Sequence, residues 1–79
     1  MTSPNRAFGE VLRELRTARK ATQESLGYAA GLDRTYISML ELGQKSPTLV
    51  TMLALCGALQ ISFGELARRL ETALAANSK

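Results

Sequence analysis

The chain has 79 residues, ten basic and seven acidic, with a pI of about 9.5. That length makes one domain, and such a domain buries only roughly 60–65% of its unfolded-chain surface. A single cysteine and no histidine exclude an internal disulfide framework and leave no nucleophile–base pair or metal-ligand cluster.

An enzyme is therefore the weakest class, and no catalytic residue, metal or cofactor is expected. The longest nearly apolar stretch, 49–59, is far shorter than the roughly 20 residues a bilayer span needs. The first ten residues carry no charged-then-apolar signal pattern, so a cytoplasmic chain with no membrane partner and no evident small-molecule ligand is expected. The mild positive charge suits an anionic partner and suits an ordinary soluble protein equally.

Taken in order, the residues predict an all-α domain of five helices across 1–79. Ser3 or Asn5 can open the first helix, with Pro4 tolerated at an initial position. Phe8, Val11, Leu12 and Leu15 follow the helical stripe to about Arg19, and Arg13, Arg16, Arg19 and Lys20 form its basic end.

The core of the chain is 22–43. Thr22 can cap a second helix, Gly31 ends it by entering the left-handed region, and Asp33 can cap a third. Leu32 and Ile37 can staple that cap; Leu26, Ala30 and Leu40 complete an inward set, and Gly27 offers room for a second backbone. Two short helices at this spacing, with Arg34, Thr35, Tyr36, Ser38 and Met39 free to supply the outward face, have the anatomy of a helix-turn-helix.

Gly43-Gln44-Lys45 is the next turn, and Ser46-Pro47 predicts the start of helix four. Leu49, Met52, Leu53, Cys56 and Leu59 form one stripe there, which makes Cys56 a core residue; Val50, Ala54 and Ala58 form a second. Ser62 and Glu65 match capping-box spacing for helix five, with Ile61 able to staple to Leu66. Phe63, Leu66, Leu70 and Leu74 carry its apolar face, and the tail 76–79 is expected to fray.

The stretch TQESLGYAAGLDRTYISMLELG resembles the helix-turn-helix of phage-repressor and Cro-type regulators, the xenobiotic-response-element family. LDRTYIS followed by Glu41 is especially similar to the controller proteins of restriction–modification systems. The resemblance runs from about Phe8 to about Leu70. It implies a lambda-repressor-like DNA-binding domain, double-stranded DNA as partner, and a transcriptional regulator.

Residue by residue, the resemblance implies base contacts from Arg34, Thr35, Ser38 and Met39. Gln23, Tyr36, Gln44, Lys45, Ser46, Thr48 and Arg19 are the implied backbone contacts. Arg can grip guanine O6 and N7 together, yet Arg34 could also pair with phosphate. Ser38 could bond back to its own helix, and Ser46 has a competing duty as a helix cap. Gln23 is further implied to brace the recognition helix, and Arg16 and Glu41 to meet in a largely buried salt bridge. Two departures stand out: Met39 replaces a usual Gly, and Leu42 replaces a usual Arg or Asn, removing a phosphate contact.

Apolar surface in excess of one small core points to a homodimer through 46–75, with Val50, Ala54, Ala58, Phe63 and Leu66 at the interface and a near-palindromic operator. The rival reading is an antitoxin-like or adaptor module whose helical domain mainly binds another protein.

Overall fold

In the computed structural model, residues 3–76 are described and form five helices with no strand among them. These are α1 Pro4–Ala18, α2 Gln23–Ala30, α3 Arg34–Glu41, α4 Leu49–Leu59 and α5 Phe63–Ala76. The expected fraying from Asn77 onward lies outside the described residues. None of the described helices is long and apolar enough to cross a membrane.

The helix starts follow from short polar side chains that meet orphan backbone N–H groups. The Ser3 hydroxyl accepts from the Arg6 N–H at 3.1 Å, with Pro4 in the first turn. Thr22 and Ser25 form a reciprocal box, each hydroxyl accepting the other's backbone N–H at 2.9 Å. The Asp33 carboxylate accepts from the Thr35 N–H at 3.1 Å.

Helix four begins later than expected. Thr48, not Ser46, is its cap, accepting from the Thr51 N–H at 3.0 Å. Ser46 stays exposed in the loop. The Ser62 hydroxyl accepts the Glu65 N–H at 3.0 Å, but the other half of the expected capping box is not made. The Glu65 carboxylate instead accepts from Arg68 at 2.8 Å and Arg69 at 2.9 Å, and those bonds hold it below the usual carboxylate range.

The core gathers Phe8, Val11, Leu12 and Leu15 of α1 with Leu26, Ile37, Leu40, Leu55, Cys56, Leu59 and Leu66. Helix α1 packs on α3 and α5, while α2 packs on α3 and α4. Burial pushes the Cys56 thiol pKa up, as suits a small core side chain.

Three expectations about α4 and α5 are corrected. Leu49 and Leu53 are outside, 58% and 50% exposed, while Thr51 and Leu55 take the inward positions. Leu66 is only 3% exposed, a core residue of the single chain, and Ala58 also packs against that core. Leu74 is half-buried but outside the core, where Ala73 packs instead. The reason is that α4 is apolar all round, so periodicity cannot select its inner face. Packing on α2 and α5 selects it, and the Thr48 hydroxyl, bonded to the Thr51 hydroxyl at 3.0 Å, keeps the oxygen of inward Thr51 satisfied.

One close approach sets how α1 meets α3. A Cβ on Gly9 would fall 2.5 Å from the Glu41 carbonyl oxygen and against that of Leu40, so only glycine allows this crossing. Gly27 does the same inside the motif, where a Cβ would lie 2.5 Å from the Leu32 carbonyl oxygen.

Candidate nucleic-acid interface

Helix α3 is held from behind by one polar network. Arg16 donates through Nε to Glu41 Oε2 at 2.6 Å and through Nη2 to Oε1 at 3.1 Å. Its remaining terminal nitrogen donates to the Ala21 carbonyl at 2.8 Å, tying in the loop before α2. Gln23, at the first position of α2, donates to Glu41 Oε1 at 3.0 Å. The Glu41 side chain is 4% exposed and that of Arg16 13%, and no buried side-chain nitrogen or oxygen among the described residues lacks a partner. The hydrogen bond to Glu41 holds the Arg16 guanidinium above its already high ordinary pKa. One carboxylate at the end of α3 thus receives groups from α1 and α2, which fixes α3 against both.

The inward side of α3 is completed by Ile37 and Leu40, both fully buried, and by Tyr36, whose ring packs at the edge of the core. The opposite side is open. Arg34 and Thr35 are exposed in the first turn, and Ser38 and Met39 are half-buried behind them. Among the described residues the Ser38 hydroxyl does not bond back to its helix, so that alternative is not taken. Leu42, at the end of the helix, is 62% exposed on the same side. Sequence reasoning counted Leu42 only as a lost phosphate contact; the signal that could have placed it was its seven-residue offset from Thr35.

Beside this face, Arg16, Ala21, Thr22, Gln23, Glu24 and Arg34 line a shallow cleft of about 450 Å³. The Arg16 guanidinium in that lining is already paired with Glu41, so among the described residues Arg34 is the free cation there, beside the start of α2 and with Glu24 as the opposing charge. Gln44, Lys45 and Ser46 are exposed in the loop after α3. The hydroxyl of Thr48 is committed to its cap. Arg19 is exposed at the end of α1, three residues ahead of the Thr22 cap.

A helix-turn-helix family profile matches residues 12–66. The chain belongs to the helix-turn-helix family. Among curated relatives of this helix-turn-helix protein, the control protein C.SmaI of Serratia marcescens is 37% identical over 62 residues, 78% of this chain and 74% of that one. Among solved structures, the restriction-modification controller protein C.AhdI from Aeromonas hydrophila is 47% identical, with a TM-score of 0.77 over 78% of this chain and 94% of that one. The clp gene regulator ClgR from Corynebacterium glutamicum superposes with a TM-score of 0.92 at 25% identity, covering 98% of this chain and 82% of that one. The all-α helix-turn-helix reading of the sequence agrees with these matches.

Proposed function

We propose that this helix-turn-helix protein is a sequence-specific DNA-binding regulator of the controller type, acting as a homodimer on a near-palindromic operator. The observation that carries the reading is the asymmetry of α3. One side is locked to α1 and α2 through Glu41, and the other presents Arg34, Thr35 and Leu42 to solvent, with half-buried Ser38 and Met39 between them. A rigid helix with an uncovered, polar first turn is what major-groove reading requires. The relatives named as controllers of restriction–modification systems support the controller type. A DNA ligand also implies a cytoplasmic place of action.

In this reading Arg34 and Thr35 meet base edges. Gln23, Arg19, Gln44, Lys45 and Ser46 meet the sugar–phosphate backbone, together with the Tyr36 hydroxyl and the exposed part of Thr48. After a random-site selection has yielded an operator, Arg34→Ala should cost about 1–3 kcal/mol on it and relax preference at one base position per half-site. Lys45→Ala should weaken all sequences alike and reduce the salt slope by about one unit per half-site. Titrations in which the two variants behave identically would remove the division between reading and anchoring.

The dimer reading rests on Leu49, Val50, Leu53 and Phe63, which are 58%, 77%, 50% and 40% exposed on α4 and the start of α5. Ala54 lies among them, while Leu66 and Ala58 belong to the core of one chain. A small domain gains stability when such a face is shared by two copies. Leu53→Glu should therefore convert a dimer to a folded monomer in analytical ultracentrifugation at micromolar concentration. A parent chain that sediments as an 8.6 kDa monomer throughout would refute the dimer.

A further inference from the structure

The outward face of α3 changes character along its length. At about 100° per residue, Ile37, Leu40 and Glu41 define the inward direction. Thr35 and Leu42 then fall on the opposite line, flanked by Ser38 and Met39. The first half of this face is polar, through Arg34, Thr35 and Ser38. Its second half is apolar, through half-buried Met39 and a Leu42 that is 62% exposed.

A lone exposed leucine is ordinary on a protein surface. This one is held in place at the end of α3, on the line of Thr35. Its N–H donates to the Ser38 carbonyl at 3.0 Å, Gly43 donates to Leu40 at 3.1 Å, and Gln44 donates to Met39 at 2.9 Å. With Gly43 at φ +75°, this is a Schellman closure. The residue after the glycine in that motif often folds an apolar side chain onto the third residue from the helix end. Here that residue is Gln44, which brings no apolar side chain over Met39.

Leucine and methionine cannot satisfy a base edge or a phosphate, and burying either polar group against them would cost free energy. The major groove offers them one apolar feature, the 5-methyl group of a pyrimidine. We propose that Met39 and Leu42 form an apolar reader of pyrimidine 5-methyl groups in each operator half-site. It lies about 10 Å along the helix from Thr35, within about three base pairs of the bases met by the first turn. The inference rests on α3 entering the major groove as proposed above. Thymine and 5-methylcytosine both supply the methyl group, and duplex chemistry separates them.

The test uses the full chain and its selected operator. Each thymine is replaced singly by uracil, which removes the methyl and leaves base pairing intact, and each cytosine singly by 5-methylcytosine. Loss of a contacted methyl should raise Kd about fourfold. Leu42→Ala should abolish that difference while still binding the operator; its side chain is largely exposed, and a thermal melt confirms that it folds. A uracil effect cancelled by Leu42→Ala assigns thymine as the source. A gain at 5-methylcytosine cancelled in the same way assigns the methylated base. Equal Kd across all duplexes, or a methyl effect that survives both Leu42→Ala and Met39→Ala, overturns the inference and leaves DNA binding standing. Failure to select any sequence overturns the DNA-reading assignment itself.

Discussion

Arg16→Met and Glu41→Leu should each destabilise the fold by about 3–5 kcal/mol, because each leaves the other charge buried without its partner. A domain of this size has about 4–12 kcal/mol of total stability, so either variant should melt far below the parent or fail to fold at room temperature. Glu41 is the more demanding of the two. Its side chain is 4% exposed and accepts from both Arg16 and Gln23. Removing it orphans a guanidinium and an amide together.

The double variant should recover part of the loss, since two apolar side chains of similar bulk can share that space. Recovery stays incomplete because the Ala21 carbonyl and the Gln23 amide lose their partners as well. Chemical denaturation of the four proteins reads out the coupling directly. Additive effects of the two substitutions would show that the network does not act as a unit.

Gly9→Ala should cost about 3 kcal/mol, the upper end of what overpacking usually does. The reason is the identity of the obstructing atoms. The new methyl would meet the main-chain carbonyls of Leu40 and Glu41, which cannot swing aside as a side chain would. Relief requires α1 and α3 to separate, and that opens the Arg16–Glu41 contact a few turns away.

Gly64→Ala is the matched control. A Cβ there would find Arg68 Nη1 and Ser62 Oγ at 3.8 Å, ordinary contact distance. It should leave stability unchanged or raise it by up to about 1 kcal/mol through helix propensity. If both variants melt within 1 °C of the parent, the close crossing of α1 and α3 is wrong.

Much of the helix-turn-helix was legible in the residues alone, for local reasons. Thr22, Gly31 and Asp33 act on N–H groups or backbone angles within a few positions of themselves, so their roles as cap, stop and cap needed no knowledge of the rest of the chain. The same locality made Ile37 and Leu40 readable as the inner side of α3. Resemblance carried the Arg16–Glu41 pairing, which spacing could not give for residues so far apart in the chain.

Tertiary structure decided what locality could not. Helix α4 is apolar on every side, so its sequence is compatible with several rotations; only packing against α2 and α5 turned Leu55 inward and Leu49 and Leu53 out. That rotation, with the burial of Leu66, moved the surface available to a second chain toward Leu49, Val50, Leu53 and Phe63. The reason for Gly9 inside an amphipathic helix lies in two carbonyls of α3 that only the fold brings near it. Leu42 is the same case at the end of α3: its residue type was plain, but its exposure depends on α3 being pinned through Glu41 to two other helices.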